Sequence, residues 1–124
     1  MSVPILKQGD CLIALVQGAL TDADLLELRD RLSDRVGEIR ARGVVIELSA
    51  LDVLDSFACL TIQVIAETTR LRGADAVVVG IQPDVAFAMV QLGLRLPGVK
   101  TALDLEEGLE QLAQSRTPAE RDVR

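Results

Sequence analysis

No histidine occurs anywhere in these 124 residues. That removes the commonest general base at neutral pH and the commonest metal ligand. Tryptophan and tyrosine are missing too, so Phe57 and Phe87 are the whole aromatic content. Stacking on aromatic rings is the usual way to hold bases, and little is left here to do it. The core must be built from Leu, Val, Ile and Ala. The two cysteines, Cys11 and Cys59, form no CxxC. They suggest neither a zinc site nor a redox motif, and read as small buried hydrophobes in a reducing compartment. Positive charge is also short: 13 Lys and Arg against 19 Asp and Glu leave a net charge of −6. A nucleic-acid binder needs a basic face, and so does a protein that lies on an anionic membrane. No apolar run approaches the roughly 20 residues of a membrane span. The start, MSVPILKQGD, lacks the basic-then-apolar order of a signal peptide. These absences predict a soluble cytoplasmic protein with no nucleic-acid partner, no membrane insertion, no metal and no cofactor.

What is present is an alternation of strand and helix patterns. The hydrophobic share of 49% is ample for one core in a chain of this length. Residues 3–6 and 11–16 are short apolar runs around Gln8-Gly9-Asp10, which reads as a β-hairpin. Pro4 suits the start of an edge strand. Thr21-Asp22-Ala23-Asp24 opens a helix, with a capping hydroxyl first and acids in the first turn. Leu25, Leu28, Leu32, Val36 and Ile39 then recur at spacings of three and four, giving a helix to about residue 41 with Gly43 as its stop. Residues 44–48 (VVIEL) and 76–81 (AVVVGI) read as buried strands. Between them lie a loop at 49–54 and a helix at 56–71 closed by Arg70, Arg72 and Gly73. Pro83 marks the next helix, which runs to Gly93. Residues 99–102 suit a last edge strand and 104–112 a final helix. The predicted order is β-β-α-β-α-β-α-β-α: an α/β fold with a mixed sheet, a hairpin and parallel βαβ units, packed with about four helices. One domain is expected over residues 1–113, with a polar, disordered tail at 114–124.

The nucleotide and hydrolase motifs of α/β proteins are missing: there is no GxGxxG, no GxxxxGK[ST] and no G-x-S-x-G. The stretch that stands out is DVLDSFACL, residues 52–60. It places Asp52 and Asp55 beside one hydroxyl, Ser56, directly before an apolar helix. Ser56 can be a helix cap, an activated nucleophile or an acceptor for a phosphoryl group. A nucleophile would have only Lys7 and Lys100 as bases. Asp52 and Asp55 can be paired carboxylates, or simply loop and cap acids. The helix behind them is apolar on most of its circumference, with Gln63, Glu67 and Arg70 as its water-facing residues. Such a helix is buried on most faces or meets a partner. Phosphate on a serine at its tip would add a charge of roughly −1.5 to −2.

The order of elements, with a DS pair at the start of the second helix after VVIEL, resembles the STAS domain family in its anti-sigma-factor antagonist form. The segments VPILKQGDCLIALVQGALTD, GVVIELSALDVLDSFA, VVVGIQPDVAFAMVQLGL and TALDLEEGL carry the likeness over about residues 3–112. DSF with GIQP points to the RsbS type, the small scaffold proteins of the bacterial stressosome. Spore-type relatives follow the serine with a small residue and Gly, whereas Phe57 and Ala58 stand here. The resemblance implies a non-enzymatic signalling scaffold and homo-oligomer. It implies co-assembly with sensor STAS proteins of the RsbR type and capture of a switch Ser/Thr kinase of the RsbT type. The kinase would phosphorylate Ser56 and be released, and a phosphatase would reset the complex. Asp55, Ser56 and Phe57 would then form the partner-binding site. No sensor domain precedes the STAS segment, so the sensor role itself is not expected. Ser49 and Thr61 are the other hydroxyls beside this stretch. The competing expectation is a STAS subunit that docks on the cytoplasmic face of a lipid or anion transporter.

Overall fold

The computed structural model describes residues 3–18 and 20–114. The tail expected to be disordered lies outside the described residues from position 115 on, and Gln114 is still helical. Nine elements follow in the predicted order: β1 (Ile5–Gln8), β2 (Cys11–Gly18), α1 (Asp22–Ile39), β3 (Gly43–Leu51), α2 (Ser56–Leu71), β4 (Asp75–Val79), α3 (Pro83–Gln91), β5 (Lys100–Ala102) and α4 (Leu105–Gln114). The strands form one sheet in the order β1-β2-β3-β4-β5. β1 pairs antiparallel with β2, and every other neighbouring pair is parallel. Parallel neighbours demand crossover helices, and α1, α2 and α3 supply them.

Side-chain alternation along the strands sorts the core into two layers. Leu12, Ala14, Val44, Ile46 and Val78 pack with Leu28 and Leu32 of α1, Ile62 and Ile65 of α2 and Met89 of α3. Ile13, Val45, Val77 and Val79 face the other way and pack with Leu112 of α4. Burial on both faces explains why β3 and β4 read as continuous apolar runs rather than alternating ones.

Most predicted boundaries move by a residue or two, the first strand from 3–6 to Ile5–Gln8 among them, and three of the shifts have a clear local reason. Gly43 does not stop α1, which ends at Ile39 with Arg40 as its cap. Gly43 opens β3, where a Cβ would stand 2.8 Å from Leu112 Cδ1. Its lack of a side chain serves the approach of α4 rather than a turn. β3 continues to Leu51, three residues past its apolar run. A register shift between Leu15 and Gln17 keeps the strands paired as Gln17 with Ala50 and Gly18 with Leu51. β4 in turn stops at Val79, because Gly80 adopts φ 76° and turns the chain toward α3.

Candidate functional site

Parallel strands deliver the chain to one end of the sheet, and ligands of open α/β sheets gather at that carboxyl end. Here it carries the N-termini of α1 and α2. Thr21 caps α1 through a full capping box: its hydroxyl accepts from the Asp24 amide at 3.1 Å, and its own amide donates to Asp24 Oδ2 at 3.0 Å. The Thr21 amide, seconded by the Thr21 hydroxyl, holds the Asp24 carboxyl below its ordinary range.

Asp55 caps α2. Its backbone is extended, at φ −88° and ψ 179°. Its Oδ1 accepts from the Ala58 amide at 2.8 Å, and its carbonyl accepts from the Cys59 amide at 3.0 Å. The cap is therefore taken, and Ser56 sits one residue later as the first helical residue, exposed. Among the described residues its hydroxyl makes no hydrogen bond. Of the three readings of this serine, the cap belongs to Asp55. The nucleophile reading loses its bases. Lys7 pairs with Leu12 early in β2, and Lys100 with Val77 midway along β4, so neither lies at the carboxyl end that carries Ser56. Asp52 is exposed, and its carboxylate borders with Asp55 a cavity of about 190 Å³ between α1 and α2. Leu25, Leu28, Ile46, Leu54 and Ile62 make that cavity mainly apolar. Asp55 Oδ1 is committed to its own helix, which fits the reading of these acids as loop and cap residues.

The other residues singled out in the sequence fall into place around this tip. Phe57 is half-buried and packs against the larger core layer. Thr61 is buried and its hydroxyl donates to the Phe57 carbonyl at 2.8 Å, which removes it as an acceptor in the folded state. Ser49 stays exposed, with its amide on Glu47 Oε1 at 2.6 Å and its carbonyl accepting from Gln82 Nε2. Cys11 and Cys59 are buried and form no disulfide. A helix N-terminus ordinarily lowers a thiol pKa. At Cys59 burial wins instead, seconded by the Asp55 charge, and pushes the thiol up.

The sequence reading underestimated one surface. The apolar circumference of α2 is not all buried: Leu60, Val64 and Leu71 are exposed. Gln63, expected in water, is half-buried and donates to the Arg95 carbonyl at 2.8 Å. With Phe57 these residues follow a 57, 60, 64, 71 spacing, one stripe of the helix running down from Ser56. α3 adds exposed Phe87 and Val90, with Leu92 just beyond its end. The spacing was visible in the sequence. What hid the surface was that the core-facing residues interleave with it.

Known proteins place the chain. The STAS domain family model matches residues 2–108. The RsbT co-antagonist protein RsbRA of Bacillus subtilis (strain 168) is 30% identical over 83 residues, 67% of this chain and 30% of that protein. The chain thus spans about a third of the length of that relative. A serine-to-glutamate variant of RsbS from Moorella thermoacetica is 33% identical, with a TM-score of 0.76, covering 90% of this chain and 95% of that one. A chain of a structure described as the molecular architecture of the stressosome, a signal integration and transduction hub, is 34% identical, with a TM-score of 0.75 and coverage of 90% and 96%. The chain belongs to the STAS domain family.

Proposed function

We propose that this STAS protein is a non-enzymatic stress-signalling scaffold of the cytoplasm, assembling with sensor STAS proteins of the RsbR type. It holds a switch Ser/Thr kinase of the RsbT type and releases it once Ser56 is phosphorylated; a phosphatase acting on phospho-Ser56 restores capture. The observation that carries this reading is the exposed, unbonded hydroxyl of Ser56 on the first turn of a helix whose cap is already made by Asp55. Likeness to RsbS over nearly its whole chain and to RsbRA over its matched part supports the stressosome setting. Those identities favour it over docking on a transporter.

The chemistry asks little of this chain. The kinase moves the γ-phosphoryl group of ATP to Ser56 Oγ, its own base takes the hydroxyl proton, and ADP leaves. The α2 dipole favours the phosphate by ~0.3–1 kcal/mol. Asp52 and Asp55 oppose it, screened over about 8 Å in physiological salt. These terms are small and opposed, so the fold survives. The partner suffers more. Phe57 and Leu60 give the tip an apolar flank, and a surface that covers a neutral hydroxyl there must desolvate a dianion after phosphorylation. The test is incubation with an RsbT-type kinase and ATP, with the product mapped by mass spectrometry. A single phosphate on Ser56 supports the reading. Equal phosphorylation of Ser56→Ala overturns it.

A further inference from the structure

The end of the molecule opposite Ser56 carries a second feature. The C-termini of α1 and α2 and the starts of β3 and β4 enclose a cleft of about 600 Å³, lined by Arg40, Arg42, Arg70 and Arg72 together with Asp75. A chain with 13 basic residues and a net charge of −6 thus lines one concavity with four arginine residues. Helix C-termini attract cations, and that alone could explain some arginine here. The charges do not cancel, however. Two helix ends contribute about −0.5 each, and the Asp75 carboxylate brings the negative total to about −2, half of what the four arginines supply.

Two residues at this cleft go against their local preference. Gly37 lies inside α1, where alanine is the better helix former. A Cβ there would stand 2.3 Å from Arg72 Nη2, so the missing side chain leaves room for that guanidinium to lie across the helix. Arg72 Nη1 donates to Ser33 Oγ at 3.3 Å and is held in that position. Arg40 adopts φ 52° and ψ 51°, the left-handed region, and among the described residues it is the one non-glycine with positive φ. Glycine fills such a position with less strain. Arg70 is fixed in turn by its bond to the Gly98 carbonyl at 2.9 Å. Departures from local preference gather at functional or strained sites, and both of these fall at one cleft.

We propose that this cleft binds the diphosphate group of a small phosphorylated molecule. Its volume falls within the range of small-ligand sites. Guanidinium forks match phosphate oxygens in pairs, and a diphosphate brings the negative charge that the cleft leaves unbalanced. No aromatic ring lines it, so recognition falls on the phosphates and not on a stacked base. The proposal is independent of phosphorylation at Ser56, and the site lies at the other end of α2.

The experiment is an amide NMR titration of the full chain with inorganic pyrophosphate, and separately with ADP, at constant ionic strength. Saturable shifts confined to residues 36–42 and 70–75 are expected. Equal affinities assign the site to the diphosphate group itself, and tighter binding of ADP assigns it to nucleotides. Arg72→Gln should weaken binding by about tenfold or more, the size of a lost charge-assisted pair. Arg40→Gly and Gly37→Ala should also weaken it while raising the melting temperature, which separates loss of the ligand from loss of the fold. Asp55→Asn should leave it unchanged. Shifts that never saturate, or affinity unaltered in all three cleft variants, would overturn the proposal.

Discussion

Asp55 and Ser56 are adjacent and do different work, and the sequence could not divide it between them. Either residue type caps a helix. Only the backbone, extended at Asp55 and helical from Ser56, decides which side chain faces the amides. Stability should separate them. Asp55→Ala removes the bond to the Ala58 amide and should cost about 1 kcal/mol. Ser56→Ala, which breaks no bond seen here, should stay within ~0.5 kcal/mol of the parent. Urea denaturation measures both, and equal losses would show that the serine shares the cap. Cys59 allows a second test. Burial and the Asp55 charge hold its thiol above its ordinary value. Its reaction with a thiol reagent at neutral pH should therefore be slow in the native protein and fast in urea. Rapid native labelling would mean that the helix dipole dominates after all.

The start of α2 and the hydrophobic face of α1 were legible because each rests on local chemistry: a cap, a turn of acids, a 3.6-residue period. The misread elements depend on distant neighbours. Gly43 looked like a helix stop because its reason, Leu112 of α4, lies far along the chain. β3 outran its apolar pattern because the paired strand, not its own side chains, sustains it. The arginine cleft was invisible for the same cause. Positions 40–42 and 70–72 meet only because β3 and β4 are parallel neighbours, which brings the ends of α1 and α2 together. The capping box of α1 gives an element its own pH dependence. Asp24 is held below its ordinary pKa when folded, so its contribution is complete above the unfolded value and fades as pH falls through the folded one. The melting temperatures of the parent and Asp24→Ala should differ at pH 7 and converge at strongly acid pH. A gap that persists in acid would show that the carboxylate charge is not what stabilises the cap.

The molecule as a whole presents charge and apolar surface in separate places, with acids near Ser56, an apolar stripe down α2, exposed apolar side chains on α3, and arginines at the far end. Among the described residues no helix is long and apolar enough to cross a membrane. On the scaffold reading, side chains such as Leu60, Val64 and Phe87, all exposed, are expected to meet protein. Leu60→Asp, exposed and outside the core, should lower self-association, or association with a sensor STAS domain, while leaving the melting temperature nearly unchanged. Light scattering and calorimetry report the two quantities, and unchanged association would remove the stripe from the interface. The central claim is that one hydroxyl controls kinase retention without unfolding the domain. It is tested most directly by loading the kinase onto assemblies of this protein with its sensor partner, adding ATP, and measuring how much kinase stays bound. Wild type should release the kinase as phosphate appears on Ser56, and Ser56→Ala should capture it equally and keep it. Release from Ser56→Ala at the wild-type rate would contradict the account.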